Sequence, residues 1–171
     1  MGLERSIADL LEVLKMEVRS FTAITELLIL EEKCLITCDN KALADVIERQ
    51  GDVLTSISCL DKSRGDLLVR IAMELGAAGT EPTLTELASK VCDPLKKELL
   101  ETGAVLGAVY EDMKRKKVSN TLLIRQGIMM VENDIRILLS AIGRGMDTPA
   151  GYTSGGGSTG LTGGIRIDGR I

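Results

Sequence analysis

Residues 3–38 read LERSIADLLEVLKMEVRSFTAITELLILEEKCLITC, and their apolar side chains recur at intervals of three and four: Leu3, Ile7, Leu10, Leu14, Val18, Phe21, Ile24, Leu28, Leu35 and Cys38. Residues so spaced lie one above another on a single face of an α-helix. Neither glycine nor proline interrupts the run, so at ~1.5 Å per residue it predicts a rod roughly 54 Å long. Asp39-Asn40 follows, with side-chain oxygens suited to stopping one helix and capping the next.

The same pattern continues outward. A second helix is expected from about Lys41 to Leu75, with Leu43, Val46, Ile47, Val53, Leu54, Ile57, Leu60, Leu67, Leu68 and Ile71 on its stripe. Gly51 and Gly65 weaken it by about 1 kcal/mol each relative to alanine, leaving room for slight bends, and Gly76 ends it. The stretch from Gly76 to Pro82 has the composition of a turn, and a short helix from Thr83 to Val91 is expected after it. Asp93-Pro94 predicts a fresh start, with aspartate at the N-cap and proline at the first helical position. From Pro94 the helical pattern runs to Ile142, with Gly143 as the expected C-cap. Residues 148–171 are rich in glycine, serine and threonine, and their apolar residues lack a helical period, as expected of a flexible tail. The fold class read from these elements is all-α: an elongated antiparallel helical bundle or coiled coil of three long helices plus a short one. Residues 1–147 form its helical domain and 148–171 its tail.

Composition removes several functions. The 171 residues include no histidine, no tryptophan, one phenylalanine and two tyrosines, yet 44% are hydrophobic. Leu, Ile, Val, Met and Ala supply that content, which suits helices better than an aromatic-rich sheet sandwich. Without histidine, the commonest proton shuttle and the commonest metal ligand are missing. Without aromatic platforms, stacking on single-stranded nucleic acid is disfavoured. The net charge of -4 runs against nucleic-acid binding, which needs a basic excess to release counterions from the phosphates. The basic run Lys114, Arg115, Lys116, Lys117 follows Glu111 and Asp112 and reads as a solvated helix face. The cysteines, Cys34, Cys38, Cys59 and Cys92, have no metal-site spacing and are read as small core or boundary hydrophobes in a reducing cytoplasm. Glu4, Arg5, Asp9 and Glu12 interrupt what would be a signal-peptide core, and no apolar run is long enough to span a bilayer. No metal, no cofactor and no catalytic residue is expected.

The last helix carries more apolar surface than one core face needs. Ile124, Ile128, Val131, Ile135, Leu138 and Ile142 make one stripe, sufficient to seat the helix on its neighbours. Leu122, Leu123, Met129, Met130, Ile137 and Leu139 spread the apolar surface beyond it. Either the helix is central in a bundle and covered on two sides, or a face is left open for a partner helix, for which the paired methionines are adaptable contacts.

These residues resemble the FlgN-type flagellar export chaperones. Asp39, Leu43, Val46, Gln50, Val53-Leu54, Ile57, Leu60-Asp61, Arg64 and Leu67-Leu68 are similar to that family's second-helix pattern, with Gln50 where lysine is usual and Asp61 where glutamate is. Asn120, Leu123 and Ile124 match the second half of the family's N-x2-N-x2-L motif, whose first asparagine is replaced by Lys117. Tyr152, the glycines after it and the closing Gly-Gly with a basic-hydrophobic end resemble the family's tail. The resemblance implies a cytoplasmic, non-enzymatic chaperone for the two hook-filament junction proteins, the hook-associated proteins of the flagellum. Such a chaperone covers the C-terminal amphipathic helix of its client, prevents premature assembly, and delivers the client to the flagellar type III export gate.

The resemblance makes the last helix the client-binding face, with Leu122, Leu123, Met129, Met130, Ile135, Ile137 and Leu139 as contacts. It makes Tyr152 a candidate contact for the gate membrane protein, against the plain reading of an inert tail residue. Asp39, Arg64 and Asn120 are read first as structural groups: a helix start, a salt-bridged side chain and a helix-face amide. The competing reading of the chain is a coiled-coil scaffold that self-associates, as a homodimer for example, through the same stripes.

Overall fold

The computed structural model describes residues 2–76 and 82–145. Four helices occupy them: α1 (Gly2–Thr37), α2 (Asn40–Glu74), α3 (Leu84–Ala88) and α4 (Leu95–Gly145). The fold is all-α, as the periodicity predicts. Tyr152 and the tail expected from 148 onward lie outside the described residues.

Local chemistry sets the helix ends. Cys38 turns out of α1 with φ 55°, and the Asp39 N–H reaches back to the Cys34 carbonyl at 3.1 Å. That long backward bond closes the last turn of α1. Asp39 then caps α2, its Oδ1 accepting the Ala42 N–H at 3.0 Å. The helix runs through Gly51 and Gly65 to Glu74, Leu75 is its C-cap, and Gly76 turns away at φ 72°. α3 is shorter than expected and starts on a capping box: Thr83 Oγ1 accepts from the Glu86 N–H, and Glu86 Oε2 accepts from the Thr83 N–H. Two bounds of α4 also differ from expectation. Pro94 precedes the helix and its carbonyl accepts the Glu98 N–H at 3.1 Å, so proline occupies the cap position and not the first turn. Gly143 does not end the helix, which continues to Gly145.

The chain forms two units, Met1–Met130 and Val131–Ile171. In the first, α1 and α2 are antiparallel. The pairs Ser6–Glu74, Asp9–Arg70, Glu17–Arg64 and Glu31–Gln50 climb on one helix as they descend on the other. α4 runs beside α1 in the same direction, since Lys15 meets Glu98, Phe21 meets Tyr110, and Leu28 and Glu31 meet Asn120. One core gathers Ile7, Leu10, Leu11 and Leu14 of α1 with Ile71 of α2, Leu87 of α3 and Leu99 of α4. A second is centred on Ile24, Leu27 and Val46, with Phe21, Ile57 and Met113 against it.

The inward face of α1 departs from the expected stripe at two points. Glu17, not Val18, is buried, and Glu31 takes the step between Leu28 and Leu35. The corresponding face of α2 carries Gln50 and Arg64 between Val46, Val53, Ile57, Leu60 and Leu67. Two polar layers therefore cross the α1–α2 interface, Glu17 with Arg64 and Glu31 with Gln50, each pair two heptads from the other. Ile47 and Leu54, expected on the buried stripe of α2, are exposed.

Candidate partner-binding surface

The inward face of α4 begins with Leu99, Leu106, Met113 and Asn120, spaced by seven and packed in the first unit. The next step in that series is Gly127, which offers no side chain, and a Cβ placed there would meet nothing within 4 Å. From Thr121 to Ile142 every residue except the half-buried Leu123 is exposed. α1 ends at Thr37, less than two turns beyond Glu31, the partner of Asn120, so it has little length left to cover α4 after that point.

The expected site residues are accordingly open. In the first unit Leu122, Met129 and Met130 face solvent, Met130 at 67% exposure, while Leu123 is partly covered. In the second unit Ile135, Ile137 and Leu139 are exposed, Ile137 at 65%. The expectation that Ile124, Ile128, Val131, Ile135, Leu138 and Ile142 seat the helix on its neighbours is wrong: all six are exposed. Apolar side chains thus ring this part of α4 instead of forming one open and one covered face.

Nearer the α4 start, two clefts open where α2 and α4 flank α1. The larger, of 610 Å³, is lined by Phe21, Leu54, Ile57 and Leu106 among others. Phe21 packs edge-on against Tyr110, ring centres 5.5 Å apart, and the Lys114 ammonium stands 5.4 Å over the Tyr110 ring. At its end, Arg64 donates from Nε to Glu17 Oε1 at 2.9 Å and also binds Asp61. Burial works against the Arg64 charge, but the Glu17 hydrogen bond and the two carboxylates outweigh it and hold its pKa above the ordinary value.

The smaller cleft, of 280 Å³, is lined by Ile24, Leu28, Glu31, Gln50, Lys117 and Asn120 among others. Asn120 is 2% exposed; its Nδ2 donates to the Leu28 carbonyl at 2.8 Å and to Glu31 Oε2 at 2.9 Å. Gln50 Nε2 donates to the same Glu31 oxygen at 3.1 Å. This node was missed from sequence, although a glutamate standing on the α1 stripe was a readable signal.

Other expectations resolve simply. Asp39 is a cap, Arg64 an ion-pair partner, and Asn120 a buried amide on the face of α4 that meets α1. The basic run is a solvated face in large part: Lys114 pairs with Glu111, Arg115 with Asp112 and Lys116 with Glu32. The cysteines are not core residues as a group, because Cys38, Cys59 and Cys92 are exposed and only Cys34 is partly buried. Among the described residues no acidic or cysteine cluster could hold a metal ion, and no helix is long and apolar enough to cross a membrane.

A family model described as FlgN protein matches residues 1–160. The chain belongs to the FlgN family. That membership places it among the flagellar export chaperones, proteins of flagellar assembly that bind other flagellar proteins. No curated protein and no solved structure matches the chain. In this FlgN protein the second-helix pattern has a structural origin: Asp39 starts α2, and Arg64 with Asp61 holds the buried Glu17 against it.

Proposed function

We propose that the chain is a cytoplasmic, non-enzymatic chaperone that binds the C-terminal amphipathic helices of the hook-associated (hook-filament junction) proteins. It keeps them from assembling early and delivers them to the export gate. The observation that carries this reading is the apolar ring on α4, with Leu122, Met129 and Met130 open in one unit and Ile135, Ile137 and Leu139 open in the other. Water is a poor permanent neighbour for so many exposed apolar side chains, and a client helix that lays its own apolar stripe on them removes both from solvent. Tyr152 is proposed as the contact for the gate membrane protein.

The test is capture of the hook-associated proteins by full-length chain. Met130→Asp and Ile135→Asp are expected to keep the helical circular dichroism and lose the clients; undiminished capture by both refutes the proposal. Tyr152→Ala is expected to keep the clients and lose co-purification with the gate protein.

Exposure of both apolar sets favours one further reading, self-association of the chain through α4 as a homodimer or scaffold. Analytical ultracentrifugation separates the two, because a tight oligomer that ignores client helices supports the scaffold and a client-binding monomer supports the chaperone.

A further inference from the structure

The two polar layers between α1 and α2 differ in one respect. Glu17 has a cation opposite it, the Arg64 guanidinium, whereas Glu31, two heptads further along α1, faces the neutral Gln50. Glu31 is 9% exposed and receives two neutral N–H donors, from Gln50 and Asn120, on one oxygen. Among the described residues it forms no ion pair. Lys117 lines the same cleft but does not pair with it. Asn120 adds a second acceptor: both its N–H groups are engaged toward α1, and its buried Oδ1 has no donor. A buried carboxylate with no cation and a buried amide oxygen with no donor thus lie beside one cleft. Burial is unfavourable both for a carboxylate without a counter-charge and for an amide oxygen without a donor.

We propose that this cleft is a seat for a basic side chain, an arginine foremost, carried by an amphipathic helix of a partner protein. A guanidinium offers planar N–H donors sufficient to serve a carboxylate and an amide oxygen together, and its charge is that which Glu31 lacks. The rest of the cleft selects a helix. Ile24, Leu28, Leu54 and Ile124 make its lining apolar, and Leu54 also borders the larger cleft over Phe21. A helix lying between α2 and α4 would place an apolar stripe over these residues and its basic residue at the Glu31 end. The proposal concerns the first unit alone and stands whether or not the end of α4 binds clients.

The test uses the full chain with asparagine side chains labelled by ¹⁵N, titrated with hexylguanidinium and with its neutral counterpart hexylurea. The Asn120 amide pair is expected to shift saturably with the guanidinium, which binds about tenfold or more tighter than the urea. Glu31→Gln, which keeps an acceptor for both amides, and Gln50→Arg, which supplies the cation from within, are each expected to remove the preference. Equal response to both probes, or a preference that survives in Glu31→Gln, overturns the proposal. So does a wild-type chain blind to both probes beside a Lys117→Met variant that responds, because the seat then belongs to Lys117. A model amphipathic peptide of about 18 residues with one arginine beside its apolar stripe tests the helix. It is expected to bind about tenfold tighter than the same peptide with norleucine there, and equal binding overturns the helical partner.

Discussion

Replacing Arg64 by methionine is expected to destabilise the chain more than replacing the residue it binds, and the asymmetry follows from exposure. The Glu17 side chain is 4% exposed and that of Arg64 37%. Removing the guanidinium strands a carboxylate in an apolar layer, a loss of about 3–5 kcal/mol for a fully buried pair. Arg64 is partly solvated, so water can approach from its side, and the expected cost falls to about 2–3 kcal/mol. Glu17→Gln instead removes the buried charge, keeps an acceptor for Nε–H and leaves the guanidinium with Asp61 and solvent, for a cost of about 1 kcal/mol. The double change Glu17→Leu with Arg64→Met exchanges the whole layer for apolar groups and is expected within about 1 kcal/mol of the parent. Urea unfolding followed by far-UV circular dichroism, compared at constant m, reads all three. Arg64→Met no more costly than Glu17→Gln, or a double variant that loses as much as Arg64→Met alone, refutes the assignment of Glu17–Arg64 as a buried layer.

Three further outcomes use the same unfolding assay. Gly51→Ala is expected to stabilise by about 1 kcal/mol through helix propensity, since nothing lies within 4 Å of the added Cβ, whereas at Gly103 that atom would come within 2.6 Å of Leu84 Cδ1 and the gain is lost or reversed. Cys38 holds φ 55° without being glycine; Cys38→Gly relieves a cost of about 1 kcal/mol, partly offset by a freer unfolded chain, for a net gain of a few tenths to about 1 kcal/mol. Leu87→Ala is expected to cost about 2–5 kcal/mol because Leu87 is fully buried, and Leu138→Ala, on the exposed end of α4, less than about 0.5 kcal/mol.

What could be read from the sequence was what is local. Periodicity, the Asp39 cap and the Gly76 stop depend on residues within one or two turns of each other, and the helices appear where those signals fall. The failures are tertiary. Ile124 and Ile128 have the spacing of a seated stripe, but seating needs a neighbour, and α1 ends soon after the level of Asn120. Cys59 sits among apolar residues in sequence yet faces outward, because the inward positions of α2 around it go to Ile57 and Leu60. The residues most informative in hindsight are those that break the pattern. Glu17 and Glu31 stand at apolar steps of α1, as Gln50 and Arg64 do on α2, and only one antiparallel register brings each acid to its partner. Slipping α1 past α2 by one heptad would bury Glu17 without Arg64, so these layers fix alignment between two helices whose leucines would accept several.

Fixing the hairpin in this way bears on the function proposed for α4. A partner that buries four to six of its large exposed side chains gains roughly 6–18 kcal/mol, at ~1.5–3 kcal/mol each. Association and side-chain ordering take back about 4–15 kcal/mol. Taken low with low and high with high, these ranges leave about 2–3 kcal/mol, a surplus small enough for release, which a carrier that hands its client to an export gate requires and a permanent scaffold does not. It is also small enough that a reshaping cost of the same size on binding would abolish it. A hairpin held in one register by Glu17–Arg64 and Glu31–Gln50 avoids that cost, because α4 is anchored to α1 at Asn120 before a client arrives. Loosening this anchor with Asn120→Ala should therefore weaken client capture, although Asn120 lies outside the apolar ring on α4.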